Sequence, residues 1–135
     1  MTRIRPFRDT DCDRLVEILE LNGQYEYLDI EGPDAMRRVA SCDAAVFLVA
    51  ESGGVVQGFV RGVYDGARAM IHLMSIDSKA QLKGIGAELL KAIEAEFRRR
   101  GSPGVLVTVS ETSVEFWKKQ GFEVLPVQLM LKPSI

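Results

Sequence analysis

Histidine is nearly missing from this chain. His72 stands alone among 135 residues, and one imidazole cannot build a His-rich metal centre. Cysteine is scarce too. Cys12 and Cys42 form no CxxC pair, which argues against a thiolate metal site or a disulfide scaffold and leaves a single bridge between them open. No run approaches the roughly 20 apolar residues of a membrane-spanning helix, and Met1–Pro6 lacks the apolar core of a secretory leader. The expectation is a cytoplasmic protein without a membrane partner. Excess charge of either sign is also absent. Seventeen basic and nineteen acidic residues leave a net charge of −2, so no basic field recruits nucleic acid.

What is present is ordinary globular composition, 47% hydrophobic and 27% charged, in a chain of single-domain length. Residues 1–135 are read as one domain without linkers or repeats. Thr2–Phe7 reads as a first strand. Thr10, with Asp13 three residues on, resembles a capping box, and Cys12, Leu15, Val16 and Leu19 then mark one helical face. Asn22-Gly23 ends that helix. Gln24–Gly32 shows no period. Pro33 suits the first position of a second helix, with Met36, Val39 and Ala40 facing inward.

Ala45–Glu51, Val55–Tyr64 and Ala69–Ile76 read as strands, separated by the turn signals Ser52-Gly53-Gly54 and Asp65-Gly66. They predict an antiparallel meander. Gly84–Arg100 is the strongest helix: Ile85, Leu89, Ile93 and Phe97 recur every four residues, with Leu90 and Ala92 beside them. Arg98-Arg99-Arg100 then meets the negative end of the dipole and Gly101 supplies the C-cap, so the arginine run reads as a solvated helix end. Gly104–Val109 has the nearly all-apolar pattern of a strand buried on both faces. A helix over Thr112–Gln120 follows, ended by Gly121, and Phe122–Leu131 reads as a last strand interrupted at Pro126. The pattern predicts a mixed α/β (α+β) sheet, antiparallel in its first half, with parallel strands joined by a right-handed crossover from Ala69 to Val109.

Chemistry concentrates in Gln81-Leu82-Lys83-Gly84-Ile85-Gly86, between a strand and the start of the best helix. Free N–H groups and the dipole at a helix start favour an anion. Gly84 and Gly86 let backbone approach a ligand, and Lys83 adds positive charge. A pyrophosphate suits such a site. The dinucleotide fingerprint fails, because Leu89 stands where a third small residue belongs, and no Gly-Lys-Ser/Thr triplet makes a P-loop.

The same six residues match the Gln/Arg-x-x-Gly-x-Gly/Ala signature of the GCN5-related N-acetyltransferases (GNAT), which the chain resembles along essentially its whole length. The signature follows Leu73-Met74-Ser75-Ile76. Phe116-Trp117-Lys118-Lys119-Gln120-Gly121-Phe122 is similar to the family's second hallmark, and Ile4-Arg5-Pro6-Phe7-Arg8-Asp9 to its common opening. The resemblance implies a sheet flanked by about four helices, in which Ala69–Ile76 and Gly104–Val109 splay apart around acetyl-CoA. It implies that the pantetheine arm pairs with Met74, Ser75 and Ile76. The diphosphate would rest on Gln81, Leu82, Lys83, Gly84, Ile85, Gly86 and Ala87, with Thr112, Phe116 and Lys119 on the other side.

It also implies acetyl transfer to a primary amine of a small molecule or protein, by direct attack on the thioester. His72 lies where some members place a base, and Glu51 and Asp77 are weaker choices. The family's usual tyrosine acid is Trp117 here, and an indole is no acid at neutral pH. Ser110, Ser113 and Tyr64 could substitute. A second reading is therefore a regulatory domain that binds acyl-CoA without turnover. Tyr25, Tyr27 and Tyr64 are expected at the acceptor site, and no metal is expected. Alternation of Val127, Leu129 and Leu131 on an edge strand points to a homodimer.

Overall fold

The computed structural model describes every residue from Met1 to Ile135. Five strands form one sheet in the order β1-β2-β3-β4-β5: β1 Thr2–Pro6, β2 Ala45–Ser52, β3 Val55–Tyr64, β4 Ala69–Ile76 and β5 Leu106–Val107. The first four pair antiparallel, and β4 with β5 is the parallel pair that the crossover requires.

Two helical layers sandwich the sheet. On one face lie α1 (Cys12–Leu21) and α3 (Pro33–Ala40), whose Leu15, Ile18, Leu19 and Met36 pack without exposure against Phe47, Val49 and Phe59. On the other lies α4 (Ile85–Arg100), burying Ile85, Leu89, Leu90, Ile93 and Phe97 against Val46, Ala50, Val60 and Ile71. The four-residue apolar spacing of α4 is the stripe expected of a helix covering a sheet on one side. Short α5 (Val114–Lys119) joins the same core through Trp117, whose ring meets Phe116 and Phe122 edge-on at 5.3 Å each.

Several elements differ from the sequence reading. Thr10 does not cap α1: it lies in a 3-10 turn, and the helix begins after Asp11. The Asp11 carboxylate accepts from the Arg8 N–H at 2.8 Å and from Arg5 at 2.8 and 2.9 Å, so a buried ion pair fixes the entry to the helix. Within Gln24–Gly32 a four-residue helix, α2 (Leu28–Glu31), forms with no buried residue of its own, which is why no apolar period betrayed it. In α3 it is Ala35 that is buried beside Met36, and Ala40 is exposed.

The largest departures are at the end. The strand expected over Gly104–Val109 pairs only at Met70↔Leu106 and Ile71↔Val107, and its paired residues are half-buried rather than enclosed on both faces. No strand forms over Phe122–Leu131: residues 123–135 are all exposed and lie outside any helix or strand.

Candidate active site

The site begins at an irregularity in β4. Its register with β3 slips between Arg61 and Gly62, so that Arg61 faces Leu73 while Gly62 faces Ile71. His72 is the extra residue of this bulge. A Cβ on Gly62 would stand 2.4 Å from the Met70 carbonyl oxygen, so only glycine admits the close approach of the two strands here. Bulges increase local twist and re-aim the strand that carries them. The bulge falls where β4 and β5 separate: beyond Ile71↔Val107 no further pair joins them. His72–Ile76 therefore present an open edge along one wall of a wedge-shaped cleft.

The loop after β4 is tied down at several points. Asp77 donates its N–H to the Gln57 carbonyl at 2.8 Å, and Ala80 and Gln81 donate to the Asp77 carbonyl at 2.8 and 3.1 Å. The Asn22 side chain, at the end of α1, donates to Ser75 Oγ at 2.8 Å and to the Ile76 carbonyl at 2.7 Å. Gln81 Nε2 donates to the same carbonyl at 3.1 Å. Sequence reasoning took Asn22 for a helix stop only, although an amide there can also reach across to a neighbouring strand.

This frame holds Leu82 at φ 70° and Gly84 at φ 80°. A left-handed leucine is costly, and its side chain is fully exposed, so packing does not offset the cost. The consequence is a row of outward amides. Lys83 donates weakly to Ala80 at 3.4 Å, whereas the N–H groups of Leu82, Gly84, Ile85, Gly86 and Ala87 have no acceptor. With the positive end of the 16-residue α4 behind them, these donors form an anion cradle. Lys83 is exposed and in no ion pair.

The cradle is closed from the α5 side. A Cβ built on Gly86 would come within 3.3 Å of the Phe116 ring and 3.6 Å of the Met74 methyl. Met74, Gly86 and Phe116 thus meet at the floor of the cleft. Thr112, in a 3-10 turn, and Lys119, at the end of α5, are exposed nearby in sequence. The Thr112 hydroxyl lies 3.1 Å from Ser110 Oγ. The Ser75 side chain is buried, facing α1, and donates to Gln24 at 2.6 Å, so only its main chain can serve the cleft.

His72 is exposed at the bulge and is no core histidine. Partial burial, then the charge of Arg61, lowers its pKa below the ordinary value of 6.5, which keeps the imidazole neutral and able to accept a proton at pH 7. The other proposed bases are committed elsewhere. Asp77 is buried against Arg14 at 2.5 Å, which holds its carboxyl below the ordinary range, and Glu51 accepts from Arg5 at 3.0 Å.

The tyrosines separate. Tyr25 packs against the α1–α3 core, and Tyr27 is exposed at the start of α2. Tyr64 stands at the far end of β3 from the cradle. It pairs with Ala69, seven residues or about 23 Å of strand from Ile76, and its hydroxyl donates to Gly66 at 3.0 Å. Trp117 is 7% exposed and packed.

Sequence reasoning also passed over Arg61. Its guanidinium is buried beneath α2: Nη2 donates to the Ile30 carbonyl at 2.5 Å, the group lies 5.7 Å from the Phe47 ring, and Nη1 has no partner. A charge amid the apolar run of β3 was the available signal. A hollow of about 640 Å³ between β1, β2 and the Ala92–Arg100 end of α4 includes none of the cradle residues. Its Arg99 and Arg100 are paired with Glu96.

An α/β domain with an open strand edge leading to unpaired amides at a helix start has the geometry to accept an anion there. The family model of the acetyltransferase (GNAT) domain matches residues 21–129, and the chain belongs to that family. Solved structures share its fold at low identity. A transcriptional regulator from Bacillus halodurans C-125 is 21% identical with TM-score 0.84, covering 98% of this chain and 99% of that one. The PaiA N-acetyltransferase of Thermoplasma acidophilum, determined in complex with coenzyme A, is 16% identical with TM-score 0.84, covering 95% and 93%. Glucosamine-6-phosphate N-acetyltransferase from Arabidopsis thaliana is 18% identical with TM-score 0.74, covering 99% of each chain. No helix of this chain is long and apolar enough to cross a membrane.

Proposed function

We propose that this acetyltransferase-family domain moves an acetyl group from acetyl-CoA to a primary amine of a small molecule or protein. The observation that carries this reading is the row of unpaired amides from Leu82 to Ala87 beside the open edge of β4. The cradle fits a diphosphate: donors are plentiful, Lys83 is in no ion pair, no carboxylate lies between Leu82 and Ala87, and the loop's Asp77 is already paired with Arg14. The pantetheine arm would lie along the main chain of Met74 and Ser75. The Ile76 carbonyl, already accepting from Asn22 and Gln81, contributes less. Phe116 walls the far side, with Thr112 and Lys119 flanking the cofactor.

The reaction balances without a covalent enzyme intermediate. The amine lone pair attacks the thioester carbonyl carbon, the C–N bond forms, and the C–S bond breaks as the sulfur leaves with its electron pair. His72, neutral at pH 7, takes the proton from the amine directly or through water. Trp117 supplies no proton, and the thiolate leaves unassisted. The buried indole also favours the second reading, a domain that binds acyl-CoA without turnover.

Thermal unfolding with acetyl-CoA, CoA, ATP and NAD tests the proposal. A ligand at about 100 times its Kd adds roughly 2.7 kcal/mol of stability. A shift with acetyl-CoA but not with ATP or NAD supports the reading. No shift with either CoA species at millimolar concentration overturns it. Acceptor-dependent release of CoA across an amine panel then separates catalysis from binding alone.

A further inference from the structure

Of the two buried arginines, only one has a carboxylate. Arg5 is held by Asp11 and Glu51. Arg61, 6% exposed, has no such partner, although it is the one charge in the buried run Gly58–Gly62 of β3. Its Nη2 donates to the neutral Ile30 carbonyl at 2.5 Å. The Phe47 ring, 5.7 Å from the guanidinium, offsets part of the charge. Nη1 is sealed from solvent and has no acceptor. Glu31 acts on the group only through space, because its Oε2 accepts from the N–H groups of Glu26 and Tyr27 at 2.8 and 3.2 Å. A charge buried without an anion is costly and calls for a function.

The β3–β4 bulge sets the place of this group. Arg61 stands at the slip, opposite Leu73, and His72 is the residue that the slip leaves over. The charge of Arg61 reaches the imidazole and helps to hold it neutral. Above Arg61 lies α2, the one α-helix that buries none of its own residues. Two arginines grip its main chain, Arg61 at the Ile30 carbonyl and Arg38 at the Asp29 carbonyl, 3.1 Å away. A roof without an apolar anchor can lift with no loss to the core. Once the Ile30 carbonyl is displaced, Nη1 and Nη2 form the planar fork that matches the two oxygens of a carboxylate.

We propose that Arg61 sets acceptor specificity by binding a carboxylate on the same small molecule whose amine is acetylated beside His72, with α2 lifting to admit it and closing over it. The acceptor is then an amino acid or a related amino-carboxylate, not a lysine side chain of a protein and not an amine without an anion. This inference rests on the acetyl-transfer reading and names the acceptor within it. Exchange of a neutral carbonyl for a carboxylate gives the buried cation its counter-ion, so the group that is unpaired in the free chain is completed by the substrate. An uncharged acceptor leaves Nη1 unpaired and gains nothing from it.

The test measures CoA release by the full chain from acetyl-CoA with glycine, β-alanine, 4-aminobutyrate and leucine, each beside its amide, and with aminomethylphosphonate and a lysine-containing peptide. The α-, β- and γ-amino acids bracket the spacing between imidazole and guanidinium. For the best-fitting pair the acid should exceed the amide in kcat/KM by about tenfold or more, chiefly through KM. Arg61→Met replaces the charge with an apolar chain and leaves no unpaired donor behind, so its acid-to-amide ratio should fall to about one. Arg61→Lys keeps the charge without the fork and should lose the preference only in part. Circular dichroism and the midpoint shift with acetyl-CoA report whether each variant is folded with its cleft intact. If Arg61→Met does not fold, the parent ratio and Arg61→Lys decide. Amides used as well as acids, or a preference that survives the loss of Arg61, overturns the proposal. So does a peptide lysine or the phosphonate preferred to every acid. If acetyl-CoA does not bind, or no amine is acetylated, the functional reading fails separately. Calorimetric titration of the same acids and amides, which needs no turnover, then decides: acid binding lost in Arg61→Met supports the carboxylate site, and equal binding of acid and amide overturns it.

Discussion

The backbone of the anion cradle can be tested apart from its side chains. Leu82 and Gly84 both sit in the left-handed region, at φ 70° and 80°. Neither position offers packing to lose: Leu82 is fully exposed, and a Cβ on Gly84 meets nothing within 4 Å. Substitutions there act almost purely through φ. A left-handed non-glycine residue costs roughly 1–2 kcal/mol, while glycine at the same place loses about 0.4–1 kcal/mol more unfolded-state entropy. Leu82→Gly should therefore stabilise the fold by about 1 kcal/mol, and Gly84→Ala should destabilise it by about 1 kcal/mol. For a domain of this length each change moves the midpoint by about 3–5 °C, in opposite directions.

Differential scanning calorimetry reads the two signs directly. Gly84→Ala should also turn the amides away from a common focus. Acetyl-CoA should then bind about tenfold more weakly, which removes about 1.4 kcal/mol of ligand stabilisation. If Gly84→Ala melts with the parent, or Leu82→Gly melts lower, the neighbours do not hold the loop left-handed and the cradle argument fails.

Other outcomes follow from named contacts. Burial, then the charge of Arg61, lowers the His72 pKa below the ordinary 6.5, so kcat/KM should rise through a pKa under 6.5 and be level at neutrality. His72→Gln should remove that limb and cost about 10²–10⁴ in kcat if the imidazole is the base. Gly86→Ala should be close to neutral in stability, because the atoms it meets are side-chain ends of Phe116 and Met74 at 3.3 and 3.6 Å, and it lies in the first turn of α4, where alanine still restricts the unfolded chain. Urea denaturation checks that statement. Burial alone would raise the Asp11 carboxyl, but hydrogen bonds from Arg5 and the Arg8 main chain outweigh it, and Arg14 lowers Asp77. Stability from both is complete above the ordinary aspartate range and should be lost as pH falls through the lowered values. Asp11→Asn should cost about 3 kcal/mol or more by leaving Arg5 buried with Glu51 alone.

Periodicity was enough for β2, β3, β4 and α4, because each buries a face whose spacing appears directly in the residues. The phosphate-binding stretch was legible for a related reason: two glycines at a strand-to-helix junction state a backbone requirement in letters. What spacing could not express was how distant elements meet. Nothing near Asn22 announces that it grips the end of β4, and α2 buries none of its own side chains. The place of Tyr64 beside Ala69 was not legible either, because a strand position names a face while the distance along the sheet depends on the register.

The C-terminal segment separates the two levels most clearly. Its alternation of Val127, Leu129 and Leu131 made it a strand by local preference, yet strand structure requires a hydrogen-bonding neighbour, and here the segment pairs with none. The sequence by itself determined the element types, the core faces and the anion-binding loop, since these depend on contacts between residues near in the chain. Only the tertiary structure decided the bulge that makes His72 the extra residue, the point at which β4 leaves β5, the burial of Arg61 and the unpaired end, because each is set by register and packing between segments far apart in sequence.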